Sequence, residues 1–447
     1  MTKSDLTRRS LLKTGMVAGA GLALPTIFTS RASAFTNNPT GKTVTFGFTV
    51  PQTGPYADEG NDELKAFKLA VKHLNGEGDG GLLQTFSSKA LNGTGVMGKK
   101  VQFVTGDTQT KTDAARAAAK SMIEKDGAVM ISGGSSSGVA VAVQALCQDA
   151  GVIYMCGLTH SNDTTGKDKK RNGFRYFFNA YMSAAALAPV LKQMYGGERK
   201  FYMLTADYTW GWTQAASMKQ FMEGEGWSMV TDVRTPLAST DFSSYLAPVL
   251  SSGADVLILN HYGGNMVNSL TQAVQFGMRD KMVNGKQFEI VVPLISELMA
   301  KGAGKNIAGI PGSSNWNWKL PDAGTKAFVQ SYGKEYGVPP SQAAQTCYVQ
   351  TILYADAVTR AKSFNPCAVV EALEGFKFDG MGVGPTVYRK DDHQAFKDVL
   401  VVQGNEKPDN EYDLLNVKQI TPVEKVMYEP ESEFFKGGNL GQCNPGA

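Results

Sequence analysis

From Thr43 onward, short apolar runs alternate with longer segments whose apolar residues recur every three to four positions. The runs at 44–50, 101–105, 128–132 and 152–155 read as strands. Between them, 61–74 puts Leu64, Phe67, Val71 and Leu74 on one broad helical face, Thr112 can cap a helix running to about 125, and 139–150 repeats Val139, Val143, Leu146 and Ala150. Residues 76–98 are rich in glycine and polar residues and read as an inserted loop. The pattern then runs a second time, with strands predicted over 200–205, 229–234, 255–260 and 289–294 and helices over 212–225, 242–251 and 265–276. Strand–helix alternation means βαβ units on parallel sheets, and two series mean two similar lobes. A long helix is predicted over 341–361 and a short one over 366–373, and 385–447 reads as strands and turns ending in a Gly/Pro-rich tail.

The first 34 residues obey a different rule. Thr7-Arg8-Arg9-Ser10-Leu11-Leu12-Lys13 precedes a Gly/Ala-rich apolar stretch from Gly15 to Leu24, and Ala32-Ser33-Ala34 supplies small residues for cleavage after Ala34. This is the order of a secretory signal, and the paired arginines point to the twin-arginine route. The apolar stretch is too short to span a bilayer, which takes about 20 residues. Export to the periplasm follows as the expectation. The leader also explains the charge. It carries Lys3, Arg8, Arg9, Lys13 and Arg31 against Asp5, so removing its +4 from the formal +3 leaves the remaining 413 residues (447 minus 34) near −1. That balance gives no reason to expect nucleic acid or an anionic membrane surface as a partner.

Five cysteines, Cys147, Cys156, Cys347, Cys367 and Cys443, all follow the leader. An oxidising compartment permits disulfides, and the odd count leaves at least one thiol. Cys367 and Cys443 sit in Pro/Gly-flanked segments near the end, which favours a bridge between them. Cys147 and Cys156 fall in helix and strand patterns and read as buried. There is no C-x-x-C, and the four histidines are scattered, so the sequence offers neither a metal site nor residues to hold a cofactor.

Ligands of parallel α/β sheets bind beyond the carboxyl ends of the strands. The segments there are Gln52-Thr53-Gly54-Pro55-Tyr56, Gly134-Ser135-Ser136-Ser137-Gly138, Cys156-Gly157-Leu158-Thr159-His160, Asp207-Tyr208-Thr209-Trp210-Gly211 and His261-Tyr262-Gly263-Gly264-Asn265. They are rich in hydroxyls, glycines and aromatics and poor in charge, a composition suited to a small organic molecule.

With these markers in this order, Thr53-Gly54-Pro55-Tyr56-Ala57, the helix entry at Gly60, the Ser135–Ser137 run, Asp207–Gly211 and the Gly384-Pro385 turn, the chain resembles the solute-binding proteins of branched-chain amino acid (Leu/Ile/Val-type) ABC transporters over essentially its whole length after the leader. The resemblance implies an α/β, two-lobed type I periplasmic binding protein fold. Each lobe is then a mainly parallel sheet flanked by helices, with three crossovers between lobes. It places 42–178 and 310–385 in one lobe and 179–309 and 386–447 in the other. It implies a solute held at Ser136, Ser137, Leu158, Thr159 and His160, covered by Tyr208 or Trp210, and delivered by a monomer to membrane permease subunits. Hydroxyls and backbone N–H groups at a helix N-terminus suit an anionic or carbonyl oxygen. Tyr56 either lines the cleft or packs behind it. Where such proteins place a hydroxyl and a second-lobe tyrosine, His160 and Asn265 stand here; Glu297 is the nearest acidic candidate for a ligand amine, and Trp316 and Trp318 lie at a crossover that could face the cleft. These departures widen the expected solute to amides, urea and aromatic carboxylates.

Two other readings bear on the same residues. Gly134-Ser135-Ser136-Ser137-Gly138 also fits G-x-S-x-G between a strand and a helix, which would make Ser136 the nucleophile of an exported hydrolase. That needs a histidine, and His160, His261 and His393 are the ones downstream. A sensory module could use the same closure to signal a receptor. Gly93-x-Gly95-x-x-Gly98 precedes a strand instead of following one, so it reads as a turn and not as a dinucleotide site. The expectation carried forward is a non-enzymatic binding protein that closes on a small solute by hinge motion.

Overall fold

The computed structural model describes residues 39–443, so the leader expected over 1–34 lies outside the described residues. Strands β1 (Thr43–Val50), β2 (Lys100–Asp107), β3 (Ala128–Gly133), β4 (Ile153–Cys156) and β5 (Gly173–Arg175) pair in parallel in the order β2-β1-β3-β4-β5. Helices α1 (Ala57–Leu74), α2 (Thr112–Glu124) and α3 (Ser137–Ala150) make the connections. β1 and β3 are apolar and buried almost end to end, as strands covered on both faces must be.

The second series runs α4 (Ala180–Tyr195), β6 (Lys200–Ala206), α5 (Thr209–Gly224), β7 (Ser228–Thr235), α6 (Ser243–Leu246), β8 (Val256–Asn260) and α7 (Gly263–Gln275). A short ribbon, β9 (Met282–Val283) and β10 (Lys286–Gln287), then leads to β11 (Glu289–Val291). Its parallel sheet has the order β11-β8-β6-β7. Matching β6, β7, β8 and β11 to β1 to β4 makes the two orders identical. Both helix entries are also built alike. A Cβ on Gly60 would sit 1.9 Å from the Pro51 carbonyl oxygen, and one on Gly211 1.9 Å from that of Ala206, so α1 and α5 can approach their preceding strands only with glycine there.

The remaining elements are α8 (Glu297–Ala303), β12 (Pro311–Ser314), α9 (Ala323–Tyr336), α10 (Gln342–Ala361), α11 (Pro366–Leu373), β13 (Lys377–Phe378), β14 (Thr386–Tyr388), β15 (Ala395–Phe396), β16 (Val399–Gly404) and β17 (Leu415–Thr421). α10 packs along α1 and is buried from Gln342 to Val358. Strand pairing moves two of the expected lobe boundaries. β12 pairs with β16, and Ser313 bridges Leu294, so 311–314 extends the second sheet and not the first. β14 pairs with β13 and β15 with β14, and Gln394 bridges Arg175, so 386–396 stays with the first sheet. The chain thus crosses between sheets after β5, after β12 and after β15. One side chain ties all three crossovers: Asn315 Oδ1 accepts from the Phe178 backbone N–H at 3.3 Å and from Lys397 Nζ.

Three helices, α4, the short α8 and α9, escape the periodicity reading. α4 is Ala-rich, buried on nearly all sides and carries Pro189, so it shows no amphipathic stripe, and α9 follows a polar turn at Asp322, whose side chain accepts from Thr325 N. The single helix expected over 242–251 is α6 followed by a 3₁₀ turn, because Pro248 lacks the N–H an α-helix needs there. Cys367 is disulfide-bonded to Cys443, with Cα atoms 5.4 Å apart, which fastens the tail to α11; Cys147, Cys156 and Cys347 are buried free thiols.

Candidate functional site

In a sheet of order 2-1-3-4-5, the crevice opens where the strand order reverses, between β1 and β3. The loops there carry Tyr56 and Ser135–Ser137. The equivalent loops of the second sheet, after β6 and β8, carry Tyr208, Trp210 and Tyr262. The carboxyl ends of the two sheets face each other, and the side chains meet.

Hydrogen bonds cross the cleft at several levels, three of them around its aromatic centre and mouth. Trp210 Nε1 donates to His160 Nδ1 at 2.8 Å, the Tyr56 and Tyr208 hydroxyls are 2.8 Å apart, and Ser296 Oγ donates to Glu59. The Tyr262 ring lies 5.6 Å from Tyr56 and 6.2 Å from Trp210, both edge-on, and Trp210 lies 6.0 Å from Tyr208. Phe178 packs 4.5 Å behind His160. Lower down, Asn162 Nδ2 donates to Ser217 Oγ at 3.1 Å, Thr209 Oγ1 donates to Asp163 at 2.6 Å, and Gly264 N donates to the Pro55 carbonyl at 3.1 Å. This is a closed cleft.

Of the residues expected from sequence, Tyr56, His160, Tyr208 and Trp210 come together as this cluster. Ser137 has a different part. Its hydroxyl accepts from His160 N, Ser161 N and Thr159 Oγ1, each at 3.1 Å, so it organises the loop after β4. Thr159 Oγ1 also lies 3.2 Å from Thr164 Oγ1, and the Leu158 carbonyl accepts from Ser135 Oγ at 3.4 Å. Ser136 is the N-cap residue of α3 and is 6% exposed. Asn265 turns away, donating to the Leu237 and Ser239 carbonyls at 3.4 and 3.0 Å; from the same loop it is Tyr262, the N-cap residue of α7, that joins the cluster. Trp316 does not join the cluster. Its indole N–H donates to Thr325 Oγ1 at 2.9 Å and its ring packs 5.8 Å from Phe328, because the chain after β12 turns it toward α9. Glu297 accepts from Gln342 N at 3.2 Å beside the start of α10, where burial pushes its carboxyl up to about 7.

The histidines a hydrolase would need are engaged elsewhere. His261 lies 2.9 Å from Thr235 Oγ1 and 2.8 Å from Ser269 Oγ, and His393 lies 2.9 Å from the Gly173 carbonyl and 3.0 Å from Glu374. His160 is turned to Trp210. Among the described residues no hydrogen bond joins Ser136 Oγ to a histidine.

Sequence reading missed Glu59 and Glu63. Both are on the first turns of α1 and both are buried. Ser135 Oγ donates to Glu63, as Ser296 does to Glu59. Burial pushes Glu63 up to about 8 and Glu59 well above the carboxylate range. Burial, then the charges of Arg175 and Lys397, hold His160 well below its ordinary value, so its ring is neutral. Their spacing of four residues was visible, but it is also the spacing of an exposed acidic stripe. Only the packing of α10 on the other side of α1 shows that this face looks into the cleft.

The comparisons agree with this architecture. A family model described as periplasmic binding protein matches residues 43–409. The Leu/Ile/Val-binding protein homolog 7 of Brucella abortus (strain 2308) is 24% identical over 370 residues, covering 76% of this chain and 86% of the relative. Among solved structures, the substrate-binding protein of an amino acid ABC transporter from Pseudomonas fluorescens Pf-5 is similar with a TM-score of 0.76 at 21% identity, over 90% of this chain and 100% of that one. A solute-binding protein of an ABC transporter from Rhodopseudomonas palustris BisB5, in complex with 3,4-dihydroxybenzoic acid, is similar with a TM-score of 0.73 at 21% identity, over 86% of this chain and 98% of that one.

Proposed function

The chain belongs to the periplasmic binding protein family, and from that premise we propose that it is the extracytoplasmic solute-binding component of an ABC importer. It captures a small organic solute by closing two lobes on it and hands the solute to membrane permease subunits. The observation that carries this reading is the cross-lobe circuit of Tyr56–Tyr208, His160–Trp210 and Glu59–Ser296. These side chains come from opposite sheets and meet where the strand order of both sheets reverses, and buried polar atoms among them lack protein partners. No bond is made or broken in this role, and one copy of the chain suffices for it.

The leader supports export. Residues 1–34, with Arg8-Arg9 and a cleavage site after Ala34, would deliver the mature chain to the periplasm by the twin-arginine route. Among the described residues no helix is long and apolar enough to cross a membrane. The near-neutral mature charge supports a partner that is neither nucleic acid nor an anionic lipid surface.

Thermal unfolding in the presence of amino acids, amides, urea and aromatic acids tests the reading. A solute at a hundredfold excess over its Kd stabilises the folded protein by about 2.7 kcal/mol. Loss of uptake of the same solute on gene deletion is the expected cellular result. A protein whose melting temperature no small solute moves, or a deletion that leaves uptake intact, refutes the transport role. Covalent labelling of Ser136 by a fluorophosphonate would favour the hydrolase instead.

A further inference from the structure

Glycines near the carboxyl ends of the strands serve two different purposes. Gly60 and Gly211 let α1 and α5 pack on their own strands, and the carbonyls that their side chains would strike, those of Pro51 and Ala206, belong to the same lobe. Gly263, the first residue of α7, is different. The three heavy atoms nearest to a Cβ placed on it all come from the opposite lobe: Tyr56 Cδ1 at 2.7 Å, the Pro55 carbonyl oxygen at 2.8 Å and Tyr56 Cε1 at 3.3 Å. Its neighbour Gly264 would meet the same Pro55 carbonyl only at 3.5 Å, an ordinary contact.

The atoms that Gly263 leaves room for take part in closure. Gly264 N donates to the Pro55 carbonyl at 3.1 Å, and the Tyr56 hydroxyl lies 2.8 Å from that of Tyr208. The Tyr56 ring is buried and therefore rests on bare backbone at 263. Non-bonded carbon atoms settle at about 3.5 to 4.0 Å. A methyl group at 263 would push Pro55 and Tyr56 away and lengthen both bonds. When the lobes part, Pro55 and Tyr56 leave with the first lobe, and the overlap goes with them.

We propose that Gly263 is a positioning residue for closure: its missing side chain lets the start of α7 seat the Tyr56 ring, and any side chain there holds the lobes apart while each lobe stays folded. The proposal rests on the reading of the chain as a binding protein that closes on its solute. The obstruction lies between the lobes, so it acts whatever the solute is. Gly277, at the other end of α7, separates this effect from backbone strain. It has the same left-handed backbone, with φ +67° against +54° at Gly263, but nothing lies within 4 Å of a Cβ placed on it. Alanine at 277 therefore carries the backbone cost alone.

A closure readout that needs no solute tests this. Ser161 Oγ of the first lobe and Thr209 Oγ1 of the second lie 3.1 Å apart across the cleft. Ser161→Cys with Thr209→Cys puts a thiol on each side, and the rate at which the pair oxidises in a glutathione buffer, read by mass spectrometry, counts visits to the closed arrangement. The native free thiols Cys147, Cys156 and Cys347 are buried. In this background Gly263→Ala is expected to slow cross-linking by roughly tenfold, the worth of the two closure bonds it disturbs. Gly277→Ala is expected to cross-link at the parent rate, with a melting temperature lowered as much as in Gly263→Ala. Gly263→Asn repeats the slowing with a residue that accepts the left-handed backbone, should the alanine variant fold poorly. Parent-rate cross-linking in both Gly263 variants, or equal slowing in Gly277→Ala, overturns the proposal and leaves the closing-cleft reading standing. A parent pair that never cross-links sinks both.

Discussion

Glu63→Gln isolates the energetic consequence of an acidic group built into a closed cleft. In the folded protein burial raises Glu63 from its ordinary 4.5 to about 8, against the partial relief of the Ser135 hydrogen bond. The folded state therefore holds a proton between those values that the unfolded chain releases. Stability contributed by such a group is full below pH 4.5 and is lost as pH rises toward 8. At pH 7 the loss is roughly 3 kcal/mol, at about 1.4 kcal/mol per pH unit. Glutamine keeps the shape and the acceptor for Ser135 and cannot ionise. The variant should be as stable as the parent near pH 4.5 and roughly 3 kcal/mol more stable at pH 7. For a chain of this size that is roughly 3 to 4 °C in melting temperature. Urea unfolding of both proteins at several pH values from 4.5 to 8 measures the difference directly. Neighbouring Glu59 and Glu297 are shifted the same way, so both proteins will lose stability with pH; the difference between them is the quantity that counts. A variant that is less stable at pH 7, or a difference that does not change with pH, refutes the assignment of Glu63 as a carboxyl held neutral by burial.

Trp210→Phe keeps the aromatic wall and removes the indole N–H from His160, so solute affinity should fall by roughly fivefold, worth about 1 kcal/mol, with little change in unliganded stability; equal affinity by calorimetry would remove that bond from closure. Ser137→Ala leaves the His160 and Ser161 N–H groups without an acceptor and should cost about 3 kcal/mol of stability in urea unfolding. Cys367→Ser opens a cross-link spanning a sequence separation of 76, and the expected loss is up to about 4 kcal/mol, matched by adding reductant to the parent. Burial holds Lys397 down to about 7, so the folded protein gains stability from that pH toward the lysine range as the unfolded chain keeps the proton longer; Lys397→Met should erase this rise, and a variant with the parent's alkaline profile would show that the crossover lysine titrates normally.

The alternation of strand and helix from Thr43 to Val291 was legible because parallel strands covered on both faces are continuous apolar runs, and the helices between them mostly keep an amphipathic stripe. So were the cysteine pair near the end and the loops that hold Tyr56, His160, Tyr208 and Trp210. All of these are properties of short stretches of chain. The helix α4 was not legible, because burial on all sides erases the periodicity that marks a helix. The lobe assignment of β12 and β14 was not, because a strand's partner is chosen by hydrogen bonding with residues far along the chain: Pro311 with Gln403, and Arg175 with Gln394. The same reason governs the site. Ser137 read as a ligand donor from its place at a helix start, and tertiary structure spent its hydroxyl on the neighbouring loop. Glu59 and Glu63 carried no signal as sequence, and the packing of α10 against α1 with closure of the second sheet turned their face of α1 inward. Local sequence determines which residues stand at the strand ends; which of them are desolvated, and which are left with an unmatched charge, depends on what folds over them.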